Sequence, residues 1–91
     1  MPGDAYRTVD LGPRFITSLL RRDFSATERQ RFARALDLLD ENERHPSLRV
    51  HKLEGVEPEL WSASASDVLR ITFRRLPGGR KLLVECSRHY D

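Results

Sequence analysis

The sequence contains one cysteine, Cys86, and no apolar run long enough to cross a membrane. A single cysteine excludes an internal disulfide, and a membrane-spanning helix needs about 20 mostly apolar residues in a row. Residues 1–5 lack the basic and then apolar layout of a secretory signal peptide. Internal repeats and low-complexity segments are absent too. These absences predict a cytoplasmic protein that makes no membrane contact.

Lysine is also scarce, because fourteen of the sixteen basic residues are arginine. Arginine makes planar, bidentate contacts with phosphate better than lysine does. The net charge of +2 argues little, but residues 44–91 carry nine basic and only six acidic side chains. A chain of 91 residues fits one small core, so we expect a single domain over residues 1–91.

The first half of the sequence has helical periodicity. Residues 5–10 favour a short strand, and Gly12-Pro13 then precedes a helix over residues 13–22 whose predicted face is Phe15, Ile16, Leu19 and Leu20. Ser25 and Glu28 have the spacing of a capping box that opens a second helix. That helix carries an apolar stripe at residues 32, 35, 36 and 39, and Pro46 ends it.

The second half alternates with the period of two that is typical of strands. We predict strands over residues 48–53, 60–65, 68–75 and 80–86, with a hairpin loop at residues 76–79. The predicted order is β-α-α-β-β-β, an α+β domain in which two helices pack on one face of a small antiparallel sheet. Trp61 and Cys86 are expected to pack in the core.

Strand alternation also predicts which side chains face away from the helices. Leu82, Val84 and Cys86 are expected inward, which places Lys81, Glu85, Ser87 and His89 outward. Arg70 lies on the outward side of its own strand, and so it shares a face with His89. An imidazole moves protons near neutral pH, and a guanidinium stabilises a charged phosphorus centre. Together these groups suit cleavage of RNA without a metal or another cofactor.

Three segments carry a family resemblance: residues 45–55 (HPSLRVHKLEG), residues 60–62 (LWS) and residues 67–74 (DVLRITFR). With the two preceding helices they resemble the RelE/ParE superfamily of bacterial type II toxins over about residues 5–91. The resemblance implies the fold given above. It further implies a toxin that cuts mRNA on the 70S ribosome and is masked by a cognate antitoxin protein, with operator DNA bound only by the toxin–antitoxin complex.

The ending Cys86-Ser-Arg-His89-Tyr90 is similar to that of YoeB-like toxins. This resemblance implies that His89 is the general acid, that Arg70 contacts the phosphate, and that Tyr90 contacts the base or phosphate. In YafQ-like toxins a histidine at the position of His51 also contributes to cleavage, and Asp67 matches an acidic residue there.

One departure from the YoeB-like pattern concerns the general base. Ser47 stands where that subgroup carries a glutamate, so we expect His51 to take the base role, or else the activity to be weak. Five basic residues are expected to hold the RNA backbone: Arg49, Lys52, Arg74, Lys81 and Arg88. Two alternatives stay open, namely a ParE-like inhibitor of DNA gyrase without nuclease activity and a degenerate, non-toxic member that only binds an antitoxin.

Overall fold

The computed structural model describes residues 6–89. Its helices are α1 (Pro13–Leu19) and α2 (Ala26–Glu41), and its strands are β1 (Val9–Leu11), β2 (His51–Lys52), β3 (Trp61–Ser64), β4 (Leu69–Arg75) and β5 (Lys81–Arg88). The strands form one sheet in the order β1-β5-β4-β3-β2. The predicted α+β architecture, with both helices on one face of the sheet, is confirmed. The pairing of β1 with β5 is parallel, so the sheet is mixed, whereas the other three pairings are antiparallel as predicted.

Helix α2 begins and packs as its sequence predicts. The hydroxyl of Ser25 accepts from the backbone N–H of Glu28, and the Glu28 carboxylate accepts from the backbone N–H of Ser25, which completes the capping box. Phe32, Leu36 and Leu39 are buried against the sheet. Both residues of the capping box belong to the same short segment, so local sequence alone specifies where the helix begins.

Helix α1 buries a narrower face than the sequence predicts. Phe15 is buried, but Ile16 and Leu20 are exposed, so these two residues do not belong to the core. The helix ends at Leu19 and therefore covers β5 with less than two turns. Gly12 brings the chain against β5, because its N–H donates to the carbonyl of Leu83 at 3.0 Å. A Cβ atom at position 12 would lie 2.7 Å from that carbonyl oxygen, which explains why glycine stands there.

Strand β2 is much shorter than the predicted strand over residues 48–53. Pro46–Leu48 forms a 3₁₀ turn, which His45 caps by accepting from the backbone N–H of Ser47. Arg49 follows in the left-handed conformation with φ 47°, so the chain turns before it joins the sheet. Regular pairing with β3 is therefore limited to His51 and Lys52.

Strand β5 contains a bulge that changes the predicted alternation. Phe73 pairs with Leu83 and Thr72 pairs with Glu85, which leaves Val84 as the extra residue. Leu83 and Cys86 both face the helices, although they are three residues apart. The predicted inward and outward assignments are therefore correct for the residues of β5 after the bulge, where His89 faces outward, and wrong for those before it.

Lys81 shows the consequence of this error. The prediction that it points outward is wrong, because its side chain is only 4% exposed and lies on the helix side of the sheet. Its Nζ donates to Thr8 Oγ1 at 3.1 Å and lies 3.5 Å from a carboxylate oxygen of Glu43. Arg75 binds the same carboxylate, at 2.6 Å, and places its guanidinium over the half-buried ring of Trp61. Lys81 thus contributes to the interior and is not presented to RNA.

Candidate functional site

The sheet face that the helices leave uncovered carries the candidate site. Residues directly opposite each other in antiparallel strands share a face, so the register identifies its members. Arg70 faces Ser64 on one side and Ser87 on the other, and Thr72 faces Ser62 and Glu85. The face is therefore a polar surface built around one central arginine.

Arg70 is held near the start of β4 and is half-buried. Its Nη1 donates to the carbonyl of Ser66 at 2.7 Å and to that of Leu69 at 3.1 Å. Among residues 6–89 it has no carboxylate within ion-pair distance. The guanidinium is thus oriented by neutral carbonyls and keeps its full positive charge for an anionic ligand.

His89 lies next to Arg70 on the neighbouring strand. Its backbone N–H donates to the carbonyl of Val68 at 2.6 Å, so the pairing of β4 with β5 extends to this residue. Arg70 lies opposite Ser87, two residues before His89, and such diagonal neighbours lie about 7–8 Å apart. The structure therefore brings Arg70 and His89 together on one face, with the His89 side chain exposed. The Tyr90 prediction falls outside the described residues.

His51 shares this face but lies far from His89. It stands on β2, opposite Ser62, and three strand spacings of about 4.8 Å separate β2 from β5. His89 lies a further four residues along β5 from the row of His51, which adds about 13 Å along the strand. The Nδ1 of His51 lies 2.9 Å from the carbonyl of Arg49, which only accepts, so the ring donates this hydrogen bond through Nδ1.

The other predicted RNA contacts are spread over different surfaces. Arg74 is exposed on the open face, opposite Leu82, and Arg49 is exposed beside the 3₁₀ turn. Lys52 faces the other side from His51 and forms an exposed ion pair with Glu59 at 3.2 Å. The structure therefore does not gather these three residues around Arg70.

Arg88 points to the helix side, opposite Leu69. Its guanidinium donates to the carboxylates of Glu28 and Asp23, and it stacks on the ring of Phe24 at 4.7 Å. The hydrogen bonds and charge of Arg88 hold the pKa of Glu28 below its usual value. Arg88 therefore ties the end of β5 to the start of α2, so the RNA contact predicted for it would need this network to open.

Glu85 is a residue of this face that the sequence prediction did not include among the candidates. It lies opposite Thr72 and two residues before Ser87, so it is the second diagonal neighbour of Arg70 on β5. Arg70 thus lies between a carboxylate and an imidazole. The sequence does predict that Glu85 points outward. Only the register of β5 with β4 shows that this carboxylate lies diagonally beside Arg70.

Two further arginines, Arg31 and Arg34, were also missed. They lie one turn apart on α2 and line a cavity of about 490 Å³ together with Arg49. Their three-residue spacing on an exposed helix face was visible in the sequence. Their proximity to Arg49 was not, because the turn that carries Arg49 was predicted as a strand.

Cys86 is unsuited to nucleophilic chemistry, as expected. It is fully buried, and burial raises the pKa of its thiol to about 12. Residues 6–89 contain no group of three or more histidine, cysteine or acidic side chains arranged to hold a metal ion. Within the same residues, no helix has the length and apolar character to span a bilayer.

Comparison with known proteins gives a structural match and no sequence match. No protein-family profile and no curated protein matches the chain. A chain in the crystal structure of an archaeal RelE–RelB complex from Pyrococcus horikoshii OT3 superposes with a TM-score of 0.67 and 17% identity. The match covers 92% of this chain and 96% of that one. The protein therefore has a RelE-like fold.

Proposed function

We propose that this protein is the toxin of a type II toxin–antitoxin system and that it cleaves mRNA on the ribosome. The observation that carries the proposal is the placement of Arg70 and His89 as diagonal neighbours on the uncovered face of a RelE-like sheet. The matched structure is a complex with RelB, and by analogy a cognate antitoxin is the proposed protein partner here. Operator DNA would be bound only by the toxin–antitoxin complex.

The proposed reaction is attack of a ribose 2′-oxygen on the adjacent phosphorus. A base removes the 2′-OH proton, the P–O5′ bond breaks, and an acid protonates the departing 5′-oxygen. His89 is the acid in this scheme, and Arg70 stabilises the negative charge that develops on the phosphoryl oxygens. Tyr90, next to His89 in sequence, is proposed to contact the substrate base or phosphate.

The general base must act at the same phosphorus as His89, within hydrogen-bond reach of the 2′-OH. The sheet geometry supports Glu85 over His51 in this role. Glu85 is a diagonal neighbour of Arg70 and lies four residues, or about 13 Å, along β5 from His89, whereas His51 lies in the row of Glu85 but three strand spacings further away. Glu85 would replace the carboxylate that Ser47 does not supply. His51, whose side chain is exposed, is proposed to bind RNA beyond the reacting phosphate.

Arg49, Arg74 and Lys52 are proposed to contact more distant RNA phosphates. Each is exposed, so binding would require no rearrangement of the core. Lys52 would exchange its ion pair with Glu59 for a phosphate, and exposed pairs of this kind contribute little to stability.

The test is cleavage of a defined mRNA on programmed 70S ribosomes, mapped by primer extension. Wild-type protein is expected to produce discrete cuts within the occupied A site. His89→Ala and Arg70→Ala should each reduce the cleavage rate by about 10²–10⁴-fold. Arg14→Ala is the matched control, because Arg14 is an exposed arginine on α1, away from the open face.

Cleavage that persists in both variants would exclude the proposed site. If wild-type protein cuts nothing, a supercoiling assay with purified DNA gyrase and a growth test on induction would identify the gyrase-inhibitor and non-toxic alternatives.

A further inference from the structure

A groove separates α2 from the 3₁₀ turn (Pro46–Leu48) and from the end of β3. We call it the arginine groove, after Arg31, Arg34 and Arg49, which line it. Its volume is about 490 Å³. It opens at the edge of the sheet, beside the end of β3 that β2 does not cover. It adjoins the proposed catalytic face, because Ser64 lies opposite Arg70 and the carbonyl of Ser66 accepts from Arg70 Nη1.

One wall of the groove is an unpaired piece of sheet edge. Alternate residues of a strand direct their backbone N–H and C=O to opposite neighbours. Ala65 donates to Leu69 on the β4 side, while Leu60 accepts from Leu53 on the β2 side, so Ser62 and Ser64 also face β2. His51 lies opposite Ser62, and the same register would place Arg49 opposite Ser64.

Arg49 does not fill that position. Its backbone N–H donates to Pro46, and its carbonyl accepts from the imidazole of His51. Within residues 6–89, the N–H and C=O of Ser64 therefore have no backbone partner, although Ser64 is only 8% exposed. Buried backbone groups are normally paired with protein or ordered water, so the N–H and C=O of Ser64 are available to pair with the backbone of a ligand.

The charge of the groove selects the kind of ligand. Arg31, Arg34 and Arg49 are exposed, and in the described part of the chain none has a carboxylate within ion-pair distance. Asp67 is the one acidic side chain among the described residues that line the groove. The balance of charge therefore favours an anionic segment.

The apolar lining favours a polypeptide over RNA. It consists of aliphatic side chains, including Ala35, Leu38, Leu48 and Ala65, and the described lining contains no aromatic ring. Arginine planes can stack RNA bases, but the described lining adds no aromatic ring to them, and its aliphatic floor suits a leucine or valine side chain. The free N–H and C=O of Ser64 match the pair of groups that an extended peptide offers.

We propose that the arginine groove binds an extended acidic segment of a partner protein, which adds to the edge of β3 at Ser64. Its backbone would pair with the N–H and C=O of Ser64, its aliphatic side chains would face Leu38 and Leu48, and its carboxylates would bind Arg31 and Arg34. The inference rests on the proposed function in one respect: the segment is assigned to the antitoxin proposed above.

The test uses the full chain alone and a capped seven-residue peptide that alternates glutamate with valine or leucine. Titration followed by amide NMR should shift the signals of Ser64, Ala65 and Arg49 and should slow hydrogen exchange at Ser64. The Arg31→Glu/Arg34→Glu double variant should bind at least about tenfold more weakly, because it places like charges together. Arg14→Glu, on α1, is the matched control and should bind as wild type does.

Two modified peptides test the mode of binding without changing the protein. Lysine in place of glutamate should abolish binding, and N-methylation of the central amide should weaken it at least about tenfold if the peptide adds to the sheet. Equal binding of all three peptides, or no shift at millimolar peptide, would overturn the proposal. Shifts of the same amides by an octa-uridine RNA at lower concentration would assign the groove to RNA instead. Because ribosomes are absent, neither result bears on the cleavage experiment.

Discussion

The backbone N–H of His89 donates to the carbonyl of Val68 at 2.6 Å, one residue beyond the pair formed by Leu69 and Arg88. This bond continues the ladder of β4 and β5 one residue past Arg88, where β5 ends. The backbone of His89 is consequently fixed relative to the strand that carries Arg70. The imidazole and the guanidinium therefore share a rigid support, which is what a site that must position two groups around one phosphate requires.

The first prediction concerns the geometry of Arg70. Arg70→Lys keeps a positive charge but loses the planar guanidinium, whose Nη1 donates to both the Ser66 and the Leu69 carbonyl. We expect this variant to retain about a tenth or less of the wild-type cleavage rate and Arg70→Ala to retain far less. Single-turnover cleavage on ribosomes measures both. Equal rates for the two variants would mean that charge at position 70 contributes nothing.

The second prediction distinguishes the two candidate bases. Glu85→Gln should reduce cleavage by about 100-fold and remove the acidic limb of the pH–rate profile, because an amide cannot accept the 2′-OH proton. His51→Gln should mainly weaken RNA binding and leave that limb in place. The opposite pattern, in which only His51→Gln flattens the profile, would assign the base to His51.

The third prediction concerns the contact of Gly12 with β5. In Gly12→Ala the new Cβ would meet the Leu83 carbonyl at 2.7 Å, and we expect a loss of about 2–3 kcal/mol in the free energy of unfolding. Gly55→Ala is the control, since its Cβ would meet no atom within 4 Å and only its φ of +71° opposes alanine, at a cost of about 1 kcal/mol. Urea unfolding measures both. A larger loss at Gly55 would contradict the close approach.

The fourth prediction follows from the ion pairs of Glu43. The hydrogen bonds and charges of Arg75 and Lys81 lower the Glu43 pKa from its usual 4.5. A lowered pKa in the folded state stabilises the protein above pH 4.5, and this contribution is lost as the pH falls through the folded value. Glu43→Gln should therefore cost about 2 kcal/mol at pH 7, because it leaves the buried Lys81 ammonium without its carboxylate.

The measurement is urea unfolding between pH 3 and pH 7. The difference between wild type and Glu43→Gln should shrink toward the acidic end. Glu41→Gln serves as control, since Glu41 is an exposed neighbour at the end of α2. A difference that is constant over this pH range would show that the Glu43 charge is not the cause.

Features set by local sequence were predictable. The capping box at Ser25 and Glu28 and the alternation of β4 each depend on a few neighbouring residues, and the structure has both. The parallel pairing of β1 with β5 joins segments about seventy residues apart, which no local pattern indicates. The same holds for the arginine groove, whose walls come from α2, the 3₁₀ turn and β3.

The wrong predictions concern places where a single residue shifts the inward–outward alternation of a strand. Leu48 to Leu53 alternates well enough to predict a strand, yet the left-handed Arg49 delays pairing until His51. In β5 the count of inward residues shifts at Val84, so Lys81 was assigned to the wrong side while His89 was assigned correctly. Alternation shows only which residues of a strand share a face. A bulge adds one residue, so the residues before it and after it follow opposite alternations.

The bulge at Val84 also constrains how β5 can misalign during folding. Lys81, Leu83 and His89 all occupy odd positions, yet the first two face the helices and the third faces away. A register slip of one residue would expose Leu83 on one side of the bulge or turn His89 toward the helices on the other. Both alternatives bury polar groups or expose apolar ones, so β5 has one favourable register. The packing of the core therefore also determines on which face the His89 imidazole lies.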